Sequence, residues 1–225
     1  MMSEVTPTRM ATQTTNAQSQ IATRIPATMR AAVYRGINDM RVETVPTPSI
    51  GPGELLVKVA TCGICGTDLK KIHTGSHSAP RIFGHEMSGT VVAVGQGVTR
   101  FQGGERVVVH HHVPCGECFY CRKGTPAQCP LYKKVGVTAG FEPSGGGFAE
   151  YIRVMDWVAS SCGVVPIPDG VPFEQAAFVE PVNTVLKGVK MLSLHADDTV
   201  LVIGQGHIGL MHAVLASRTG ARVLT

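Results

Sequence analysis

The sequence predicts a chain of mixed class, in which a partly open β-barrel is followed by the beginning of a doubly wound parallel α/β sheet. Short alternating or β-branched segments with glycine and proline turns follow one another closely between residues 29 and 110. This pattern is typical of small all-β barrels. From residue 172 the apolar spacing becomes helical, and a continuous apolar segment then leads directly into a glycine-rich turn. This change of period predicts a second unit of α/β type.

The composition limits the classes of function. A chain of 225 residues is long enough for one large domain or two smaller ones. The net charge is only +4, with no block of lysine or arginine, which disfavours a nucleic acid or an acidic membrane surface as partner. There is no apolar run as long as a membrane span and no signal-peptide pattern at the start. We therefore expect a cytoplasmic protein that acts on a small molecule.

Residues 1–28 are rich in threonine, glutamine, alanine and serine, without a hydrophobic period. Such a segment buries too little apolar surface to offset the entropy lost on ordering, so we expect a disordered tail. A transit peptide is an alternative that Arg9 and Arg24 would fit, but Glu4 and the missing amphipathic stripe argue against it. A misassigned upstream start codon would produce the same composition.

The remaining elements follow from local patterns. Alternation of polar and apolar residues predicts half-buried strands, and apolar residues at helical spacing predict helices. Pro181 is suited to the first turn of such a helix. The predicted strands are residues 30–34, 41–45, 54–60, 87–95, 106–110, 164–168, 199–203 and 222–225, and the predicted helices are residues 173–178, 182–191 and 210–218.

A short motif at residues 62–68, Cys-Gly-Ile-Cys-Gly-Thr-Asp, precedes a Gly-His-Glu sequence at residues 84–86. Thiolate, imidazole and carboxylate groups are the ligands that zinc prefers, and a catalytic zinc uses three of them while keeping a fourth position open. Cys65 and His85 are the candidate ligands, and Thr67 places a hydroxyl two residues from the thiolate. The alternative, a glycine and cysteine turn near a core histidine, is about equally compatible with these residues alone.

Four of the seven cysteines are clustered as Cys115, Cys118, Cys121 and Cys129. Four thiolates in one short excursion make a closed tetrahedral site, which predicts a structural zinc. Closely spaced cysteines could also form disulfides in a secreted protein, but without a signal peptide metal binding is the better interpretation. An iron–sulfur cluster is the chemical alternative.

A GxGxxG sequence follows the predicted strand 199–203 and precedes a predicted helix. Its residues are Gly204, Gln205, Gly206, His207, Ile208 and Gly209. In this context the glycines allow a tight turn, close approach of a pyrophosphate and packing of helix against strand, and the helix N-terminus favours the anion. The alternative is an ordinary glycine-rich turn.

The order of these four motifs resembles that of the zinc-dependent medium-chain alcohol dehydrogenase family, from about residue 29 to the end of the chain. The resemblance implies a GroES-like catalytic barrel at residues 29–187 and an incomplete Rossmann domain at residues 188–225. It also implies two zinc ions per chain, one catalytic and one structural. The implied reaction is hydride transfer between an alcohol or polyol and NAD or NADP, carried out by a homo-oligomer when the chain is full length.

The resemblance also implies roles for individual residues. Cys65 and His85 would bind the catalytic zinc, and Glu86 would be a carboxylate able to approach it. Thr67 would hold the substrate hydroxyl and begin the exit of the proton, while Asp68 would orient His85. Several relatives carry a histidine three residues past this threonine, where the present chain has Lys70.

The third protein ligand of many relatives, a cysteine upstream of the glycine fingerprint, has no counterpart between Cys162 and Gly204. Residues 178–181, Phe-Val-Glu-Pro, are instead similar to the polyol and threonine dehydrogenase branch. This similarity implies that Glu180 ligates the zinc directly or through water, the alternative being a carboxylate that only marks the start of a helix. By position, Thr184 would lie near the nicotinamide.

The chain ends within the second strand of the Rossmann pattern, so we expect a C-terminally truncated member of the family. The acidic residue that would distinguish NAD from NADP is expected about 20 residues past the glycines. The main alternative is a truncated, catalytically incompetent zinc-binding GroES-like module. A zinc-free quinone reductase relative is a weaker alternative, because such proteins lack the cysteine cluster and counterparts of Cys65 and His85.

Overall fold

A computed structural model describes residues 25–225 of the protein. Most of the predicted disordered tail, residues 1–24, lies outside the described residues. The first described element is a hairpin in which β1 (Thr28–Gly36) pairs with β2 (Asp39–Pro46) in antiparallel fashion. Asn38 occupies the left-handed region at the turn, with φ of 58°, a conformation that asparagine tolerates better than most residues.

A six-stranded antiparallel sheet forms the body of the barrel, in the order β6-β7-β3-β4-β5-β8. The hairpin joins this sheet at the segment before β7, where the backbone N–H of Ala32 donates to the carbonyl of Phe148 at 2.8 Å. The six strands are β3 (Leu55–Gly63), β4 (Glu86–Val94), β5 (Arg106–Val109), β6 (Val137–Thr138), β7 (Tyr151–Val154) and β8 (Val164–Pro166).

Strand β5 shows how the sheet is buried on both faces. Val107 and Val109 point into the main hydrophobic core, whereas Val108 belongs to a smaller cluster with Ile167 and Ala176. Successive side chains of a strand point to opposite faces, so the second cluster covers the outer face of the barrel. Ala176 belongs to the helix α4 (Phe173–Ala177), so this cluster attaches that helix to the sheet.

Helices and short turns connect the strands. The amphipathic helix α1 (Gly66–Thr74) was not predicted from the sequence. Pro181 lies in the first turn of α5 (Val179–Leu192), as expected. None of the helices in the described part of the chain is both long and apolar enough to cross a membrane. These elements are α1 (Gly66–Thr74), α2 (Phe119–Arg122), a 3-10 turn (Pro126–Gln128), α3 (Asp156–Ala159), α4 (Phe173–Ala177) and α5 (Val179–Leu192).

The last elements form a βαβ unit. Strands β9 (Thr199–Leu201) and β10 (Arg222–Leu224) pair in parallel, with α6 (His207–Ser217) between them in sequence. A continuous apolar strand of a parallel sheet is usually buried on both faces, but in the predicted strand 199–203 Leu201 is 63% exposed and Ile203 is 89% exposed. Within the described residues β9 has a single strand neighbour, and the sheet is too narrow to cover its apolar residues.

The predicted class, mixed β and α/β, is confirmed, with the barrel first and a parallel unit after it. Helix α5 packs against α6, and a Cβ built on Gly188 would lie 3.3 Å from the His212 ring. The helix α5 runs through residues 187 and 188, where the boundary between the two domains was expected. That boundary stays a prediction.

Candidate metal centres and cofactor turn

The first candidate centre is built at the junction between β3 and α1. Cys65 caps the helix: its Sγ accepts a hydrogen bond from the Thr67 N–H at 3.4 Å. Asp68 completes a capping box by accepting from the backbone N–H of Cys65 at 3.2 Å. Because the helix begins here, the Cys65 sulfur is held by local backbone geometry. Thr67 lies exposed in the first turn, beside Cys65.

The second part of this centre comes from the start of β4, where Gly84 has φ of 94° and both His85 and Glu86 are buried. Asp68, which is fully buried, also accepts from the Gly84 N–H at 3.4 Å and lies 3.2 Å from His85 Nδ1. The angle at this imidazole nitrogen does not meet hydrogen-bond geometry among the described atoms, so the contact is primarily electrostatic. A single carboxylate thus links Cys65 with His85.

Ligand atoms of Cys65, His85 and Glu86 all lie within 4.8 Å of one another. Zinc binds sulfur at about 2.3 Å and nitrogen or oxygen at about 2.0–2.2 Å, so donors around one ion lie about 3–4 Å apart. One thiol, one imidazole and one carboxyl group at this spacing fit a zinc ion that keeps a fourth position for another ligand. The structure therefore brings together three of the predicted ligands.

The charges of this centre are strongly coupled. Burial would lower the pKa of His85, but Asp68 and the Cys65 thiol raise it to about 9. Burial would raise the pKa of Asp68, but His85 and the backbone N–H groups of Cys65 and Gly84 lower it. In contrast, burial raises the pKa of the neighbouring Cys62 to about 12, which keeps this thiol neutral. Of the two cysteines in the motif, Cys65 is therefore the suitable metal ligand.

Glu180 lies outside the group of three mutually close donors, at the start of α5. It is half-buried, and burial raises its pKa, as do the nearby carboxylates of Glu86 and Asp68, while His85 opposes the shift. These charges place Glu180 in the same electrostatic environment as the three donors. Thr184 follows one turn later, and its Oγ1 donates to the Glu180 carbonyl at 3.4 Å.

A cavity of about 410 Å³ includes Glu180 and Thr184 in its wall. The three donors do not line it, and His111 of the wall makes the contact with the centre. Three successive histidines belong to this wall, and their position at the end of a predicted strand gives no sign of which ring turns inward. His111 packs its ring against that of His85, with centroids 4.9 Å apart. Burial, followed by the neighbouring His112, His85 and Lys71, lowers the pKa of His111 to about 2, so its ring is a neutral polar group.

His73 is the histidine closest in sequence to Lys70, and it contacts the hairpin turn rather than the donor group. Its Nδ1 lies 2.6 Å from Oδ1 of Asn38 in the hairpin turn. The ring is exposed and connects α1 to the hairpin.

The cysteine cluster forms a second donor group in the described part of the chain. The sulfur of Cys115 lies 3.6 Å from that of Cys129 and 3.9 Å from that of Cys121, and Cys118 lies 3.6 Å from Cys121. Tetrahedral zinc with Zn–S bonds of about 2.3 Å would separate its sulfurs by about 3.8 Å. The geometry fits a single ion better than an iron–sulfur cluster, in which the thiolates bind different irons.

Backbone donors support metal binding in this cluster. The Cys115 N–H donates to Cys129 Sγ at 3.4 Å and the Cys118 N–H to Cys115 Sγ at 3.3 Å. The first of these donors lowers the pKa of Cys129 to about 6, against the effect of burial. A lowered pKa favours the thiolate, which is the form that binds metal.

The glycine turn after β9 has the three properties expected of a dinucleotide site. Gly204 has φ of 100°, which only glycine adopts readily. A Cβ on Gly209 would overlap the Gly204 carbonyl oxygen, so the third glycine is needed for close packing. A Cβ on Gly206, the N-cap of α6, would meet no described atom within 4 Å. The surface at the helix N-terminus is therefore open to an anion.

The remaining turn residues are exposed. Gln205 donates from Nε2 to the Val202 carbonyl at 3.3 Å, and His207 and Ile208 begin α6.

Known proteins are similar to this chain in sequence and in structure. A model of the alcohol dehydrogenase GroES-like domain family matches residues 51–169. The sorbitol dehydrogenase of Bacillus subtilis (strain 168) is 34% identical over 203 residues, covering 88% of this chain and 55% of that protein. D-arabinitol dehydrogenase 1 of Uromyces fabae is 37% identical over 200 residues, covering 88% of this chain and 54% of that protein.

Among solved structures, that of acetophenone reductase from Geotrichum candidum NBRC 4597 in complex with NAD matches with a TM-score of 0.75 and 29% identity. The match covers 89% of this chain and 58% of the other. The chain thus spans about half the length of the curated relatives it matches.

Proposed function

The chain belongs to the family of alcohol dehydrogenases with a GroES-like domain, and from that premise we propose that it is a zinc-dependent oxidoreductase. It would transfer a hydride between an alcohol or polyol and a nicotinamide cofactor. The observation that carries this proposal is the convergence of Cys65, His85 and Glu86 within 4.8 Å. His85 is in ring contact with His111, which lines a cavity of about 410 Å³. A donor set connected in this way to a cavity of this size is compatible with a small-molecule active site.

Cys65, His85 and Glu86 would hold the catalytic zinc, and Glu180 would ligate it directly or through water. A zinc ion held there supplies a Lewis acid that lowers the pKa of an alcohol. Glu180 suits the fourth position because its carboxyl group is half-buried and close enough to the other donors for their charges to affect its pKa. Cys115, Cys118, Cys121 and Cys129 would hold the structural zinc.

Other residues of the chain orient these groups and move the proton. Asp68 holds His85 through the contact of 3.2 Å and so fixes which ring nitrogen faces the donor group. Thr67 would accept the substrate proton on its hydroxyl oxygen while its own hydroxyl proton passes to solvent, because the side chain lies on the exposed first turn beside Cys65. Lys70, also exposed on α1, replaces the histidine of several relatives, so the proton would leave from Thr67 to solvent.

The turn from Gly204 to Gly209 would bind the pyrophosphate of NAD or NADP at the N-terminus of α6. Support comes from the open space at Gly206 and from the NAD bound in the similar acetophenone reductase structure. Gln205, His207 and Ile208 would line the same turn, and Thr184 would contact the nicotinamide from the cavity wall.

The names of the relatives, sorbitol and D-arabinitol dehydrogenases, favour a polyol as the substrate. The cavity wall combines apolar residues with side chains that could hydrogen-bond to hydroxyl groups of such a substrate. The hydrogen-bonding residues of the wall are His110, His111, His112, Tyr132, Glu180, Asn183, Thr184 and Lys187.

The first test is the number of zinc ions per purified chain in the wild type and in Cys65→Ala. We expect two ions to fall to one, because the cysteine cluster would keep its own ion. Cys162→Ala is the matched control, since this thiol is exposed and lies outside both donor groups, and it should leave two ions. One ion in the wild type, unaffected by Cys65→Ala, would instead favour the catalytically incompetent zinc-binding module.

The second test is hydride transfer itself. Oxidation of sorbitol by NAD or NADP would be followed by the absorbance of the NADH or NADPH formed, with the wild type and with Cys65→Ala. Activity in the wild type that is lost in the variant would support the assignment. A protein with two zinc ions that neither oxidises polyols nor binds NADH would refute it.

We also propose that the protein acts in the cytoplasm, that it forms a homo-oligomer when full length, and that neither nucleic acid nor a membrane is its partner. A cluster of four reduced cysteines is suited to a reducing compartment. The weak net charge of +4 offers little attraction to polyanions. Gel filtration at several ionic strengths would test the oligomeric state and detect bound nucleic acid.

A further inference from the structure

We propose that Gly63 is a positioning residue of the candidate catalytic zinc site, because its missing side chain leaves the space that the Glu86 carboxylate occupies. This inference rests on the proposed function, since it concerns how Glu86 reaches the metal. Gly63 is the last residue of β3 and pairs directly with Glu86, the first residue of β4.

The contact is specific to the Glu86 side chain. A Cβ built on Gly63 would overlap Glu86 Oε2, and it would lie 3.1 Å from Cβ and 3.2 Å from Cδ of the same residue. These are the three nearest atoms. At Gly89, in the same strand pair, the nearest atom is instead the backbone carbonyl oxygen of Lys58. The glycine at position 89 therefore serves strand packing, whereas the glycine at position 63 serves one carboxylate.

Backbone conformation does not explain the glycine at position 63. Its φ lies outside the left-handed region, unlike that of Gly84 or Gly204. An alanine could therefore adopt the same backbone, and glycine within a strand is otherwise unfavourable. The remaining explanation is the close approach of the Glu86 carboxylate, which lies over the Gly63 backbone and points toward Cys65 and His85.

The consequence of Gly63→Ala can be derived from these contacts. The overlapping atom is the far end of a flexible side chain, so the strain is relieved when the Glu86 carboxylate moves. The fold is retained, but the oxygen is displaced from the donor group. Loss of orientation of a ligand typically reduces metal affinity about 10–100-fold, and we expect this loss at the site of Cys65, His85 and Glu86.

The experiment is competition for zinc with a chelator of known affinity, using the whole chain as wild type, Gly63→Ala and Gly66→Ala. Gly66 is the matched control from the same motif, since no described atom lies within 4 Å of a Cβ built there and its φ is not left-handed. The expected result is an affinity for zinc about 10–100-fold weaker at the site of Cys65, His85 and Glu86, and in Gly63→Ala only. The affinity of the cysteine cluster should stay unchanged in all three proteins and serves as internal reference.

A double-mutant cycle with Glu86→Ala tests whether Gly63 acts through Glu86. In the Glu86→Ala background, Gly63→Ala should cause no further loss, because the displaced group is already absent. The absorption spectrum of the cobalt(II)-substituted proteins provides a second readout. Displacement of one oxygen ligand should change the d–d bands of the site of Cys65, His85 and Glu86 and leave those of the cysteine cluster unchanged.

Three results would overturn the inference. The affinity of Gly63→Ala could equal that of the wild type, or the loss could be the same with and without Glu86, or the cysteine cluster could be weakened equally through general unfolding. A wild type with only one zinc ion would refute the proposed function, and the inference with it. With two ions bound in the wild type, a negative result for Gly63→Ala refutes the inference alone.

Discussion

Asp68→Asn is the most informative single substitution, because one buried carboxylate connects both halves of the candidate active site. Its Oδ2 accepts from the Cys65 N–H at 3.2 Å, and its Oδ1 accepts from the Gly84 N–H at 3.4 Å and lies 3.2 Å from His85 Nδ1. An asparagine has the same shape but only one acceptor oxygen. Whichever way the amide is oriented, one of the two backbone N–H groups then faces an NH₂ group.

A buried donor without an acceptor costs about 1–3 kcal/mol, and we expect the free energy of unfolding of metal-free protein to fall by this amount near neutral pH. The pH dependence follows from two shifts. The pKa of Asp68 is lowered on folding, so its contribution is present above its unfolded pKa and is lost as the pH falls through the folded value. The pKa of His85 is raised to about 9, so its contribution is present below its unfolded pKa and is lost as the pH rises through 9.

The difference between wild type and Asp68→Asn should therefore be largest between about pH 4 and 6.5, given ordinary pKa values for Asp and His. Urea unfolding of chelator-treated, reduced protein, followed by circular dichroism at several pH values, measures it. With zinc added, the variant should bind the ion at the site of Cys65, His85 and Glu86 about 10–100-fold more weakly. A difference that is constant from pH 3 to pH 10, with unchanged zinc affinity, would refute the assigned role of Asp68.

Three further predictions concern other parts of the chain. Glu54→Gln should destabilise the protein by about 1–3 kcal/mol at pH 7, because Glu54 is buried and forms a forked pair with Arg153 at 2.8 and 2.6 Å. The pKa of Glu54 is lowered on folding, so the loss should begin to shrink below the ordinary pKa of about 4.3 and should disappear only as the pH falls through the lower folded value. Glu150→Gln breaks a similar but more exposed fork and should cost about 0–1 kcal/mol in the same urea titrations. Gly206→Val should lower the unfolding free energy by no more than about 1 kcal/mol, because valine is a poorer N-cap than glycine. It should weaken NADH binding at least about tenfold, as judged by fluorescence titration, because the side chain would fill the space open to the pyrophosphate. Cys118→Ser should remove one zinc ion and lower the melting temperature, since metal binding at a structural site contributes to folding, and two ions retained in this variant would contradict the assignment of the cluster.

The motifs within short segments could be predicted from the sequence because local chemistry determines their geometry. The spacing of Cys115, Cys118 and Cys121 allows the three sulfurs to face one ion whatever the rest of the chain does. The glycine turn likewise follows from Gly204 and Gly209, whose roles require only the adjoining strand and helix. Such features depend on a few neighbouring residues, and sequence reasoning finds them.

Features that depend on how distant elements pack could not be predicted in the same way. The position of His111 beside His85 follows from the pairing of β5 with β4, and no property of three successive histidines indicates which of them turns inward. The exposure of Leu201 is another case, because an apolar strand predicts burial only when neighbouring elements cover it. The distance of Glu180 from the metal ligands depends on the packing of α5, so its role as a ligand stays a prediction.

The register of β3 against β4 illustrates the same limit and explains why the candidate site can form. The pairing skips Val92 of β4 after Leu56 and skips Ala60 of β3 after Val59, so two irregularities compensate and Gly63 lies opposite Glu86. Side chains alternate with a period of two, so a shift of one residue changes which positions face each other. If the register of Val57–Val59 continued without the second shift, Cys62 rather than Gly63 would lie opposite Glu86, and the space for its carboxylate would be lost. The candidate metal site therefore depends on a pair of irregularities in the sheet, which no local pattern of the sequence indicates.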